Sequence, residues 1–244
     1  MTDTHWIFIS PHLDDVALSC GGLVWDLARE GDRVEVWSVV AGDPPEGSYS
    51  DFAEENHQRW GQSGREAMVL RREEDWAACR VLDAEPRHLD FIDAIYRSDP
   101  KTRRPIVNNN DELFGKRPET WLVAAIAARL ACELPADARV VFPLGLGGHI
   151  DHRAVVAAGQ MLGRSTAWYA DYPYILKHFV SPLLTGSGLG LQSRQLDEDA
   201  LAAWQEAVLC YASQIGDFWR DAEETRLALR NYMAGGGGRL WVWK

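Results

Sequence analysis

Positive charge is in deficit in this sequence: 25 Lys and Arg stand against 36 Asp and Glu, a net charge of -11 over 244 residues. That deficit argues against nucleic acid or an anionic membrane as a partner, because phosphate binding needs clustered cations. No apolar run approaches the roughly 20 residues that cross a bilayer, and no basic-then-apolar leader precedes the first apolar segment. The expectation is a cytoplasmic protein with no integral membrane segment. The four cysteines, Cys20, Cys79, Cys132 and Cys210, are widely spaced and form no Cys-x-x-Cys pair. All fall in apolar helical patterns, which predicts small buried hydrophobes in a reducing compartment. No Gly-x-Gly-x-x-Gly is present, which counts against a dinucleotide-binding protein. Internal repeats and domain boundaries are also lacking. What is there, 46% hydrophobic and 25% charged residues, reads as an ordinary globular protein with chain enough for a sizeable core.

The hydrophobic pattern alternates between strand and helix. Residues 6–9 are a continuous apolar run, as expected of a strand buried on both faces. A helix over 16–29 stops at Glu30-Gly31-Asp32, and 34–40 reads as a second strand. Such a β-α-β start implies a right-handed crossover. Further strands are predicted at 88–92, 139–142 and 166–170, and helices at 68–82, 119–134, 154–162, 200–212 and 222–233. Residues 240–243 read as an edge strand whose aromatic residues offer a surface for a homo-oligomer. The predicted fold class is α/β: a mainly parallel, Rossmann-like sheet with helices on both faces, in one domain spanning residues 1–244. Two tracts, 41–64 (with a helical turn near 52–59) and 181–197, are expected to be loops or lids over a site; the second carries Gly186, Gly188 and Gly190.

Chemistry concentrates in two loops. The first strand runs into Ser10-Pro11-His12-Leu13-Asp14-Asp15, ahead of a helix containing Gly21-Gly22. In an open α/β sheet the loop leaving the carboxyl end of a strand is where ligands bind. His12 and Asp15, three residues apart on a loop bending into a helix, can address one spot. An imidazole nitrogen and a carboxylate oxygen converging there suit a divalent metal such as zinc. Asp14 is then free beside the metal, where a general base belongs. The second loop, Gly145-Leu146-Gly147-Gly148-His149-Ile150-Asp151-His152-Arg153, follows the strand at 139–142. With both strands near the middle of the sheet, His12, Asp15 and one of His149 and His152 meet across the fold. Three protein ligands and an open position are the pattern of a catalytic zinc, although the same ligand types accept ferrous iron. The other histidine is left to stabilise charge. Each group alone reads as well as a helix start or a surface feature; their joint placement on strand-to-helix loops favours a site.

Together, Ser10-Pro11-His12-Leu13-Asp14-Asp15 with Gly21-Gly22 and Gly148-His149-Ile150-Asp151-His152-Arg153-Ala154-Val155 resemble the PIG-L/LmbE family of zinc-dependent de-N-acetylases. Members of that family carry His-Pro-Asp-Asp-Glu early and His-Pro-Asp-His-Arg later, and the order of elements matches through about residue 175. The resemblance implies His12, Asp15 and His152 as zinc ligands and Asp14 as general base. It implies His149 as the group supporting the tetrahedral oxyanion or the leaving amine, with Asp151 orienting it. Arg71 matches an arginine that contacts substrate hydroxyls, and Asp93 a carboxylate that binds the sugar. The implied activity is hydrolysis of an N-acetyl or other N-acyl group on a glucosamine-type sugar or glycoconjugate, through a zinc-bound water. Leu13 and Val16 stand where the family has Pro and Glu, neither of them a metal ligand. Some relatives have a tyrosine where this chain has Gly147, so an oxyanion tyrosine must come from elsewhere, with Tyr172 the candidate.

Two other readings fit part of the pattern. An amidase acting on a thiol conjugate or a natural-product amide would use the same site. A metal-binding regulatory module would also place carboxylates after the first strand, but it has no use for His12, His149 and His152.

Overall fold

The computed structural model describes residues 4–177, 188–192 and 194–243. In chain order the elements are β1 (His5–Ser10), α1 (Asp15–Arg29), β2 (Arg33–Ser38), α2 (Asp51–Trp60), α3 (Gly64–Val81), β3 (Glu85–His88), α4 (Asn110–Gly115) and α5 (Thr120–Glu133). They continue with β4 (Arg139–Pro143), α6 (Ile150–Leu162), β5 (Ser165–Tyr169), β6 (Leu189–Leu191), α7 (Glu198–Leu209), α8 (Ala212–Phe218), α9 (Ala222–Ala234) and β7 (Leu240–Trp243). Among the described residues the strands form one sheet in the order β3-β2-β1-β4-β5-β7-β6. β1 to β5 run parallel, and β7 and β6 finish one side antiparallel. The fold is the predicted mixed α/β class with a mainly parallel sheet.

Successive side chains of a strand face opposite sides of the sheet, and β1 shows what that does for the core. Ile7 and Ile9, with Val140 and Phe142 of β4, pack under α5 and α6. Trp6 and Phe8, with Val36 and Val141, pack under α1, α3 and α7. The strand is apolar on both faces because helices cover both. β1 lies between β2 and β4, so the strand order reverses between β1 and β4. Their following loops therefore leave the sheet side by side at its carboxyl edge, the usual crevice of an open α/β sheet.

The Gly21-Gly22 pair has a packing reason. Trp204 of α7 lies so close to α1 that a Cβ on Gly21 would stand 2.8 Å from its Cδ1, and one on Gly22 2.8 Å from its Cε3. At this point α1 is kinked, with Cys20 outside helical geometry (φ -154°, ψ 26°), and the Trp204 indole N–H donates to the Ala17 carbonyl at 2.6 Å. Glycine lets the helices touch, and the indole satisfies a carbonyl beside the kink.

Several sequence expectations are corrected. The third strand is Glu85–His88, not 88–92, because its pairing with β2 ends at Ser38 opposite His88. It contains Pro86, which an edge strand tolerates because one side of its backbone needs no partner. The helical turn expected near 52–59 in the tract 41–64 is a longer helix, α2, capped by the Ser50 hydroxyl, which accepts from Ala53 N at 3.2 Å, and ended at Gly61 (φ 68°). β7 is not an edge strand, since it lies between β5 and β6. Of the tract 181–197, residues 181–187 and 193, Gly186 among them, lie outside the described residues, while Leu189–Leu191 forms β6. The cysteines are free thiols, but only Cys20 and Cys79 are buried; Cys132 is exposed on α5 and Cys210 is half-buried. No helix among the described residues is long and apolar enough to cross a membrane.

Candidate active site

The loop after β1 is closed on itself. Ser10 Oγ donates to the His12 carbonyl (2.5 Å) and accepts from Val16 N (3.2 Å), while the His12 backbone N–H donates to Asp15 Oδ2 (2.7 Å). Leu13 is buried with Ala41 and Met68, and Val16, in the first turn of α1, faces the core beneath that helix. Both departures from the family pattern thus have apolar surroundings in this chain. In the loop after β4, Gly147 and Gly148 both have φ of 83°. A side chain at Gly147 would collide with the Tyr174 ring, and a Cβ at Gly148 would lie 2.7 Å from the Phe114 carbonyl. This turn delivers His149 to the N-cap of α6, with Asp151 and His152 in its first turn.

The two loops meet. Asp15 Oδ2 lies 3.3 Å from His12 Nδ1, and Asp15 Oδ1 lies 3.3 Å from His152 Nε2. His12, His149 and His152 can each offer a ring nitrogen to a common metal, those atoms lying within 4.8 Å of one another; so can His12, Asp93 and Asp151 with one ligand atom apiece. His152 turns its other nitrogen, Nδ1, to Asp171 Oδ1 at 2.7 Å, and Asp171 Oδ2 accepts from Leu146 N at 3.0 Å. Asp14 faces the other way, with Oδ1 3.5 Å from Arg71 Nη2 on α3. Asp93, whose Oδ1 accepts from Ile95 N at 3.1 Å, has Oδ2 at 3.7 Å from His12 Nε2.

His12, Asp14, Asp15, Arg71, Asp93, His149 and His152 line a cavity of about 440 Å³. Its walls come from α2 (Arg59, Trp60), α4 (Phe114), α8 (Asp217, Phe218) and Tyr174, the last just after β5. The sequence brought out the floor of the site and, in the tract 41–64, the stretch that supplies Arg59 and Trp60; the walls from α4 and α8 and the place of Tyr174 were missed. Two assignments change. Tyr172 does not line this cavity; it stacks on Tyr232 (4.1 Å between ring centres) and borders a separate, mainly apolar one with Trp219. Tyr174, two residues on, faces the site instead. The Asp151 carboxylate is not turned to His149. It lies 3.2 Å from His12 Nε2 and accepts from Arg97 Nη1 at 2.6 Å, and only the Asp151 backbone N–H reaches His149, at Nδ1 (3.2 Å). Asp171 and Arg97 were not singled out from sequence. Asp171 had a signal, since it directly follows a predicted strand; Arg97 had none.

Burial sets the baseline for every titration here, and local partners then decide its direction. Burial alone would lower His12, but hydrogen bonds to Asp15 and Asp151 lift it well above the ordinary histidine range. His152 likewise overcomes burial through Asp15 and then Asp171, and rises to about 9. Burial opposes the charge on Asp15, yet His152 and His12 hold it well below the carboxylate range. Asp14 moves the other way: burial raises it, and Arg71 offsets only part of that. Burial, reinforced by the charge on His12, drives His149 well below its ordinary value. Because Nδ1 of His149 accepts the Asp151 N–H, a neutral His149 carries its proton on Nε2.

Residues 7–162 match the family described as PIG-L, GlcNAc-PI de-N-acetylase. The chain belongs to the PIG-L family. It is 31% identical over 198 residues to 2′-N-acetylparomamine deacetylase of Niallia circulans, covering 71% of this chain and 68% of that one. The zinc-inhibited form of teicoplanin deacetylase superposes with a TM-score of 0.80 at 26% identity, over 98% of this chain and 97% of that one. The A40926 pseudoaglycone deacetylase superposes at 0.75 with 31% identity, over 98% and 96% of the two chains. The PIG-L match ends at α6, whereas the structural matches extend over the α7–α9 half, which supplies the α8 wall of the cavity.

Proposed function

We propose that the chain is a metal-dependent N-deacetylase acting on an N-acetylated amino sugar within a larger natural-product glycoside. The observation that carries the reading is the meeting of both loops on Asp15, whose two oxygens each face an imidazole nitrogen. Imidazole nitrogens around a buried carboxylate are a donor set suited to a divalent cation, zinc foremost. His152 adds the expected outer partner, since ligating histidines generally pass their other N–H to a carboxylate. His12, Asp15 and His152 would hold the ion, which when bound supplies Lewis acidity to polarise the amide carbonyl and acidify a water.

The chain's own residues supply the rest. Asp14, kept from that cluster by Arg71 and with its proton affinity raised by burial, takes the proton of the attacking water. His149 Nε2–H donates to the amide oxygen as negative charge develops there. The water oxygen bonds to the acyl carbon, the C–N bond breaks, and Asp14 returns its proton to the departing amine. Acetate and a free amino sugar result. Arg71 and Asp93 bind sugar hydroxyls beside the reacting amide, and the walls from α2, α4 and α8 receive the rest of the glycoside. Such substrates agree with the 2′-N-acetylparomamine, teicoplanin and A40926 pseudoaglycone deacetylases among its relatives.

The test is to purify the protein, measure its metal, and incubate it with 2′-N-acetylparomamine, N-acetylglucosamine and the N-acetylated A40926 pseudoaglycone. Release of acetate and free amine from at least one, dependent on the metal, is expected. Hydrolysis confined to amides without a sugar would favour the amidase reading.

A further inference from the structure

Asp151 makes more contacts than its place in the first turn of α6 requires. Fully buried, it accepts from Arg97 Nη1 at Oδ1 (2.6 Å), while its Oδ2 accepts the Ala94 backbone N–H (3.1 Å) and lies 3.2 Å from His12 Nε2. Arg97, itself buried, is held from behind. Its Nε and Nη2 donate to the two oxygens of Glu119 (2.8 and 3.2 Å), and Nη1 also donates to the Ile92 carbonyl (2.8 Å). Glu119 is the N-cap of α5. The series Glu119–Arg97–Asp151–His12 therefore ties α5, the loop after β3, the start of α6 and the loop after β1 to one another.

The consequence for His12 follows from imidazole chemistry. A neutral ring has one donor nitrogen and one acceptor, and the partner of the first selects the second. Both ring nitrogens of His12 face carboxylates, Nε2 at Asp151 Oδ2 (3.2 Å) and Nδ1 at Asp15 Oδ2 (3.3 Å), so a cation taking the Nδ1 lone pair would leave Nε2–H with Asp151. His152 is the counterpart, with Nδ1–H given to Asp171 and Nε2 turned to Asp15 Oδ1. Each histidine thus turns one nitrogen to its outer aspartate and the other to the shared Asp15, and the second is the one a cation would take. The Ala94 N–H on Asp151 adds a second consequence, because it anchors the residue next to Asp93, which lines the cavity.

We propose that Arg97 is a positioning residue for the metal centre: it fixes the Asp151 carboxylate, which selects the nitrogen His12 presents to the metal and sets the place of Asp93. The proposal rests on His12 being a metal ligand, as proposed above. A buried carboxylate without a cation is costly to keep charged. The bidentate grip of Glu119 fixes the plane of the guanidinium that supplies that cation.

The test is zinc affinity of the metal-free protein, by competition with a chromogenic chelator, alongside circular dichroism. The proteins compared are wild type, His12→Ala, Asp151→Asn and the double variant Arg97→Met/Glu119→Gln. Asp151→Asn and the double variant should each weaken zinc binding about 10–100-fold, the usual effect of removing a ligand's outer partner. Both should also raise KM for the N-acetylated sugar in zinc-saturated protein, as Asp93 loses its anchor. Wild-type zinc affinity in folded Asp151→Asn overturns the proposal, even if its melting temperature falls. Should the double variant not fold, Asp151→Asn alone decides. Wild-type affinity in His12→Ala would overturn the ligand set and this inference together, whereas zinc loss there with wild-type affinity in Asp151→Asn overturns only the inference.

Discussion

Asp14 and Asp15 are neighbours in the chain, yet their carboxylates serve opposite sides of the loop. Asp14 Oδ1 lies 3.5 Å from Arg71 Nη2, while the two oxygens of Asp15 lie 3.3 Å from His12 Nδ1 and His152 Nε2. Asp14→Asn should therefore keep its metal and lose roughly 10²–10⁴ in turnover, the range of a positioned acid–base group. Asp15→Asn should lose the metal. Metal analysis and turnover on the two variants check this, and a metal-free Asp14→Asn beside a loaded Asp15→Asn would reverse the roles.

His149 donates from Nε2 without holding the metal in the proposed mechanism. His149→Ala should retain metal and fall about 10²–10³-fold in kcat, as for loss of an oxyanion donor. Loss of metal from this variant would instead place His149 in the ligand set, one of the groupings its ring geometry allows.

Tyr172 and Tyr174 separate the expectation drawn from sequence from the cavity found in the structure. Tyr174→Phe should lower kcat/KM by roughly 5–10-fold, the worth of one hydrogen bond of about 1–1.5 kcal/mol to bound substrate. Tyr172→Phe, stacked on Tyr232 away from the cavity, should leave the kinetics unchanged. Steady-state kinetics on one N-acetylated sugar compares them, and the reverse pattern would restore Tyr172 to the site.

Removing the metal should abolish hydrolysis without unfolding the chain. The sheet and its two apolar cores are built without the site, whose charged groups already have partners in one another. After chelation the circular dichroism spectrum should hold, and added zinc should restore activity; cooperative unfolding on chelation would show instead that the ion is structural.

Trp204 is fully buried against Gly21 and Gly22 and bonds the Ala17 carbonyl. Trp204→Ala should destabilise the protein by about 3–5 kcal/mol, as large core truncations do. Gly21→Ala should also destabilise, since its new Cβ would meet the indole at 2.8 Å. Thermal or urea unfolding reads both, and a Gly21→Ala protein as stable as wild type would mean that α7 can retreat without cost.

Much of this was legible in the chain itself. Local chemistry determined that 6–9 would be a doubly buried strand and that a helix would follow Asp15. It also placed His12, Asp15, His149 and His152 on strand-to-helix loops, because periodicity and residue type act over a few residues. Local pattern misjudged 88–92 and 240–243, because where a strand ends and whether it is an edge depend on its neighbours, β2 for the first and β6 for the second. The partners of buried charges were not legible at all. Asp151 sits two residues from His149, but its carboxylate goes to His12, 139 positions away, and to Arg97, 54 positions away. A side chain's neighbours in sequence constrain its backbone, whereas a buried carboxylate must find cations and donors in three dimensions. The reversal of strand order between β1 and β4 brought it to His12, and the loop after β3 brought it Arg97.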